Sequence, residues 1–110
     1  MRQLFVLFHS PGPAWDRAVG YMEQPGIEAH LDFMRSLAAR GLMVLGGPFA
    51  DEDVVGAVGM AVIAAGDAAE AERIALEDRS VASGLIRVAA RPWTVPMGFA
   101  LDATSWPESG

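Results

Sequence analysis

Residues 26–48, GIEAHLDFMRSLAARGLMVLGGP, carry the pattern that decides the fold. Their first half repeats apolar residues at the spacing of one helical face, and these residues are Ile27, Leu31, Met34, Leu37 and Ala38. The pattern predicts an amphipathic helix from about Gly26 to Arg40, closed by Gly41 at the position where a C-cap favours glycine. The apolar run at residues 42–45 predicts a strand that ends at Gly46-Gly47-Pro48.

His30 is the candidate functional residue of this helix. It follows Ile27 by three positions and precedes Met34 by four, so it lies on or beside the apolar face. A partly desolvated imidazole needs a hydrogen-bond partner, and it titrates near neutral pH, as a general acid or base for proton transfer must. The structural alternative is a helix histidine that is bonded to a backbone carbonyl or to water.

Strand and helix patterns lie on both sides of this stretch. Residues 2–9 and 57–64 are apolar on both faces, which predicts two central strands, and residues 85–90 predict a fourth strand that Arg87 places at an edge. A second helix is predicted from the N-cap residue Asp67 to about Glu77, and residues 79–84 are a turn or a short helical piece. Residues 95–101 are a candidate fifth strand.

The resulting order is βαββαβ, which predicts an α+β fold. Two right-handed split βαβ units give the ferredoxin-like arrangement, a four-stranded antiparallel sheet with two helices on one face. The other face is also apolar, and a second copy of the chain is its simplest cover, so the sequence predicts a homodimer through the sheet faces. We assign residues 1–95 to this domain, with a Pro-rich loop at 10–25, and residues 96–110 to a C-terminal extension.

Composition limits the class of protein. The chain has 110 residues, of which 52% are hydrophobic and 20% charged, with a net charge of −6 and no lysine, which argues against nucleic acid and anionic membranes as partners. The absence of cysteine excludes disulfides, thiolate metal sites and a cysteine nucleophile. The apolar run at residues 4–8 is too short for a signal h-region, and the longest mostly apolar run, residues 54–65, is too short for a transmembrane helix, so we expect a cytoplasmic protein.

These residues resemble the YCII-related (YciI-like) proteins of the dimeric α+β barrel superfamily. The resemblance spans roughly residues 2–93 and rests on three motifs: HLDFMR at 30–35 with Leu37, Gly41 followed by GGPF at 46–49, and Asp78 followed by Val81 and Gly84-Leu85. It implies a dimer and an enzyme site built on a His and an Asp, which match His30 and Asp78. One branch of the family is linked to dehydrochlorination of chlorinated aromatics. Arg79 departs from the proline that the family usually has after the Asp.

The predicted topology agrees with a site at one end of the sheet. Because the first and third strands are antiparallel neighbours, the start of the first helix and the end of the second lie at the same end, where Asp78 can orient His30. The alternative for Asp78 is a cap on the following turn. The residues predicted to line a substrate pocket there are His9, Trp15, Gly47 and Pro48. Two histidines and an aspartate suit a metal, but no tight motif such as His-x-x-x-His supports one, so we expect no metal and no cofactor.

Three functions stay open at this point. The first is an enzyme that performs proton transfer of the lyase or isomerase type on a small apolar or aromatic molecule, with His30 and Asp78 as the catalytic pair. The second is a cofactor-independent monooxygenase of the dimeric-barrel type. The third is a non-catalytic ligand-binding domain. The sequence contains no Gly-x-Ser-x-Gly elbow, no P-loop and no dinucleotide fingerprint.

Overall fold

The computed structural model describes residues 3–51 and 56–96. Its elements follow the predicted order, and residues 79–82 form the short helical piece that was one of the two alternatives for this segment. The elements are β1 (Gln3–Pro11), a 3₁₀ turn (Tyr21–Glu23), α1 (Ile27–Ala39), β2 (Met43–Pro48), β3 (Gly59–Ala65), α2 (Ala68–Ala75), α3 (Arg79–Ala82) and β4 (Ile86–Trp93). The strands form one antiparallel sheet in the order β2-β3-β1-β4. This confirms the ferredoxin-like α+β fold. No helix in the described ranges has the length and apolar character that crossing a membrane requires.

β1 lies between β3 and β4, as its two apolar faces predict. Because side chains alternate along a strand, β1 divides the core in two. Phe5 and Leu7 pack against the helices, whereas Leu4 and Val6 pack on the opposite, helix-free face. β4 lies at the edge of the sheet, as Arg87 predicts.

The buried face of α1 is rotated from the predicted one. The helix buries Ile27, His30, Phe33 and Leu37, while Ala38 is exposed and Met34 packs only at the margin of the core. The helix turns this way because Phe33 and Leu37 are the side chains that fill the space above β1 and β3. The rotation places His30 within the buried line of the helix.

The predicted end of β2 was wrong. The strand continues through Gly46-Gly47-Pro48, because this run pairs with Ala61, Met60 and Gly59 of β3. A register shift lies between Met43 and Leu45, so the strand bends before it reaches the glycines. Val95 belongs to no strand, and the rest of the predicted fifth strand and of the C-terminal extension, residues 97–110, lies outside the described residues.

A single buried amide organises the Pro-rich loop. Gln24 is 2% exposed, and its Oε1 accepts a hydrogen bond from the backbone N–H of Asp16 at 2.8 Å. Its Nε2 donates to the backbone carbonyls of Asp16 at 2.6 Å and Val19 at 3.0 Å. Nε2 also donates, at the longer distance of 3.4 Å, to the carbonyl of Gly20. A side chain bonded to four backbone groups fixes the path of the loop, and with it the positions of Trp15 and Tyr21.

The start of the loop is anchored on the turn after α3. The N–H groups of Gly12 and Ala14 donate to the carbonyls of Leu85 and Gly84, at 2.8 and 2.9 Å. The backbones approach so closely that a Cβ on residue 12 would lie 2.2 Å from the carbonyl oxygen of Gly84. Gly12 is therefore required by this contact.

We predict that Gly12→Ala destabilises the protein by about 1–3 kcal/mol, because the clashing atom belongs to the backbone and cannot rotate away. Gly47→Ala is the matched control, since an added Cβ there meets nothing within 4 Å, and we expect its effect to stay within about 0.5 kcal/mol. Urea unfolding of both variants measures the difference, and equal stabilities would contradict the prediction.

A buried His–Asp pair behind an aromatic cavity

His30 and Asp78 form a direct hydrogen bond. His30 Nδ1 lies 2.6 Å from Asp78 Oδ2, and the two residues are 1% and 0% exposed. His30 is in the first turns of α1, and Asp78 is the N-cap of α3, so the bond joins elements that are 48 residues apart. The structure thus brings together the two residues predicted to form the catalytic pair.

Asp78 also caps α3. Its Oδ1 accepts hydrogen bonds from the backbone N–H of Ser80 at 2.9 Å and from the Ser80 hydroxyl at 2.7 Å. Asp78 therefore has both of the roles that were predicted as alternatives: Oδ1 caps the helix, and Oδ2 binds His30. Sequence reasoning missed Ser80, because an Asp cap accepts from the backbone N–H of whichever residue lies at that position and gives no reason to single out a serine.

These hydrogen bonds determine the charge of Asp78. Burial pushes the pKa of Asp78 upward, but the hydrogen bonds from His30 and Ser80 push it further down, so this pKa lies below its usual value. Asp78 is consequently ionised at neutral pH and accepts only. His30 Nδ1 must then carry the proton in this bond, which leaves the lone pair of a neutral ring on Nε2.

His9 lies beside the pair on the helix-facing side of β1. Its ring centroid is 4.6 Å from that of His30, with the rings edge to face at 73°. His9 is 1% exposed, and neither of its ring nitrogens has a hydrogen-bond partner among the described residues. Burial, and then the neighbouring His30, lower the pKa of His9 from 6.5 to about 4. The ring is therefore neutral at physiological pH.

Two aromatic residues of the loop extend the site outward. The Tyr21 ring centroid is 6.2 Å from that of His30, and the Trp15 centroid is 6.0 Å from that of Tyr21. Burial, and next the negative charge of Asp78, raise the pKa of Tyr21 to about 12, so its hydroxyl remains a donor. The sequence placed Tyr21 in the loop but gave no signal that it belongs to the site, because its position depends on the hydrogen bonds of Gln24.

A cavity of about 590 Å³ opens on the outer side of Tyr21. Trp15 and Pro48, both predicted to contact substrate, are part of its wall, and Gly47 lies one residue before the wall begins on β2. His9 is buried and is not among the lining residues, although Ser10 and Pro11, which follow it in β1, do line the cavity. The His30–Asp78 pair lies behind this wall, with Tyr21 as the side chain that contacts both His30 and the cavity.

The fold and this site define a small ferredoxin-like α+β domain with a buried His–Asp pair next to an aromatic-walled cavity. The sequence model of the YCII-related domain matches residues 4–94, and the chain belongs to this family. The predicted family is thereby confirmed. No curated protein matches the chain.

We predict that Asp78→Ala costs about 3–5 kcal/mol of stability, since it removes a cap and leaves a buried imidazole without its charged partner. Asp67→Ala is the matched control, because Asp67 caps α2 through Glu70 N–H at 2.8 Å but has an exposed setting. We expect that change to cost about 1 kcal/mol. Chemical denaturation measures both, and equal losses would show that the bond to His30 contributes nothing.

Proposed function

We propose that this protein is a small cytoplasmic enzyme that transfers a proton, by lyase or isomerase chemistry, on a small apolar or aromatic molecule. His30 is the general base and acid, and Asp78 orients it. The observation that carries the proposal is the 2.6 Å hydrogen bond between His30 Nδ1 and Asp78 Oδ2, in a buried setting next to an aromatic-walled cavity.

The mechanism follows from the direction of that hydrogen bond. Ionised Asp78 accepts the Nδ1 proton and so directs the free lone pair to Nε2, which takes a proton from the substrate. The imidazolium that forms is stabilised by the carboxylate, and the effect is large because little water is present to screen it. Ser80 keeps the carboxylate in place, so that it acts on His30 through a fixed oxygen.

The cavity supplies the binding site for the apolar part of the substrate. The apolar part of its wall includes Trp15, Tyr21, Pro48 and Phe49, a set that suits a flat apolar molecule. The wall also carries charged residues that could bind polar substituents of such a molecule, and these are Arg17, Glu23, Asp51 and Arg87. Tyr21 lines this cavity and its ring centroid is 6.2 Å from that of His30, so a substrate in the cavity would reach the imidazole once this ring turns aside.

We predict that His30→Gln lowers kcat by about 10²–10⁴, the usual contribution of a positioned acid or base, and changes ligand affinity by only a few-fold. Glutamine retains a donor for Asp78, so the fold is expected to survive. The substrates are a panel of chlorinated hydroquinones and unhalogenated aromatic carbon acids, followed by chloride release and by incorporation of solvent deuterium.

The control for this experiment is Arg35→Gln, which changes an exposed residue on the opposite side of α1 and should leave turnover unchanged. Turnover that persists in His30→Gln would end the assignment of His30. Oxygen consumption with hydroquinones would instead indicate the cofactor-independent monooxygenase.

The second candidate function is a non-catalytic ligand-binding domain. The observation that favours it is the 1% exposure of His30, which places the imidazole behind the cavity wall. Quenching of tryptophan fluorescence by members of the same panel, with no turnover of any of them, would support this function over the enzyme.

We also propose that two copies of the chain associate through the helix-free face of the sheet. This face presents large apolar side chains that are partly exposed: Phe8 at 38%, Leu45 at 52% and Trp93 at 44%. The same face on a second copy is equally apolar, so a twofold contact buries both without placing two acidic surfaces together.

We predict that the double variant Phe8→Glu with Leu45→Glu is a monomer, because each dimer would then bury four carboxylates. Leu76→Glu is the matched control: Leu76 is also apolar and 65% exposed, but it lies at the end of α2, away from this face. Sedimentation equilibrium measures the mass in solution of the wild type, the double variant and Leu76→Glu. A monomeric wild type would refute the dimer.

A further inference from the structure

Both histidines of this chain lie in one buried cluster. His9, His30 and Asp78 each offer one ligand atom, and these three atoms lie within 4.8 Å of one another. They come from β1, α1 and the start of α3, and the fold brings them together although no short motif links them. This is why the search for a local metal motif in the sequence pointed away from a metal.

His9 supplies an independent observation. An imidazole buried from water normally has a partner for each nitrogen, and a buried polar group without one needs an explanation. The two nitrogens of His9 have none among the described residues, although its ring is neutral and one nitrogen therefore carries a free lone pair. His30 and Asp78 lie next to His9, so an ion or molecule bound to a nitrogen of His9 would also be close enough to bind His30 and Asp78.

We propose that His9, His30 and Asp78 form a binding site for a divalent transition-metal ion of the zinc class. Two imidazole nitrogens and one carboxylate oxygen are a donor set that zinc uses in sites with one open position. Magnesium and calcium need mostly oxygen ligands, and this cluster offers one carboxylate, so they are excluded by donor type.

The distances require only a small adjustment. Bonds of about 2.0–2.2 Å to a tetrahedral ion place neighbouring ligand atoms about 3.3–3.6 Å apart. His9 therefore has to move inward, and the 2.6 Å contact between His30 and Asp78 has to lengthen. The open fourth position would be taken by water or by a ligand.

This inference goes beyond the proposed proton transfer and does not depend on it. An ion bound to His30 Nδ1 takes the place of the proton that Nδ1 donates to Asp78, and this proton moves to Nε2 as the neutral ring changes tautomer. The Nε2 lone pair on which proton transfer depends is then lost, so the metal-bound cluster and the free His30–Asp78 pair are alternative states of the same residues. Proton transfer is tested on the metal-free protein with His30→Gln, whereas the metal site is tested by binding alone.

The experiment titrates protein freed of metal by chelator with Zn²⁺ in a calorimeter, and with Co²⁺ while its visible absorption is recorded. We expect one ion per chain. His9→Leu should weaken Zn²⁺ binding by about 100-fold or more, since it removes a ligand outright. Because leucine also removes the unpaired ring nitrogens from the core, this variant should be at least as stable to urea as the wild type, so lost binding will not reflect a lost fold.

Asp32→Asn is the control, since Asp32 is an exposed carboxylate on α1 and should leave the Zn²⁺ affinity unchanged. Two results would overturn the proposal. One is the absence of stoichiometric Zn²⁺ binding to the wild type, and the other is binding that His9→Leu leaves intact, which would place the ion on surface carboxylates.

Discussion

The hydrogen bond from His30 Nδ1 to Asp78 Oδ2 fixes how the two halves of this domain meet. It joins the first turns of α1 to the start of α3, and both of its ends are buried. A buried carboxylate is tolerated only when its oxygens accept hydrogen bonds, and Asp78 accepts them from His30 Nδ1 and from the backbone N–H and the hydroxyl of Ser80. The position of α3 relative to α1, and of the turn at Gly84-Leu85 that anchors the loop, follows from this requirement.

The sheet and the helices packed on it bury the cluster of His9, His30 and Asp78 away from water. Phe5 and Leu7 precede His9 on the same side of β1, and Phe33 and Leu37 follow His30 on α1, so the cluster continues the apolar core. Polar groups placed in this way cost stability, and His9 contributes no compensating hydrogen bond within the described part of the chain. Natural proteins keep buried polar groups without hydrogen-bond partners mainly where a function requires them. The presence of His9 therefore distinguishes this cluster from ordinary core packing.

Much of this architecture could be predicted from local patterns. Apolar residues on both faces of β1 indicated a central strand, Arg87 indicated an edge, and Asp67 marked the start of α2; antiparallel strands then implied that His30 and Asp78 share one end of the sheet. What could not be predicted depends on partners distant in sequence. β2 continues through its glycines because β3 pairs with them, and Phe33 is buried because of the strands below it.

The loop is the part that relates the cavity to the buried pair. Tyr21 lines the cavity and its ring packs edge to face against His30, and the loop that carries it is held by Gln24 and by two backbone hydrogen bonds from Gly12 and Ala14. The strands beside His30 are held by ladders of backbone hydrogen bonds, whereas four of the hydrogen bonds that hold the loop come from the single side chain of Gln24. The burial that the loop helps to provide strengthens the interaction between His30 and Asp78. Under the proposed function, a displacement of the Tyr21 ring would let a molecule in the cavity reach the imidazole.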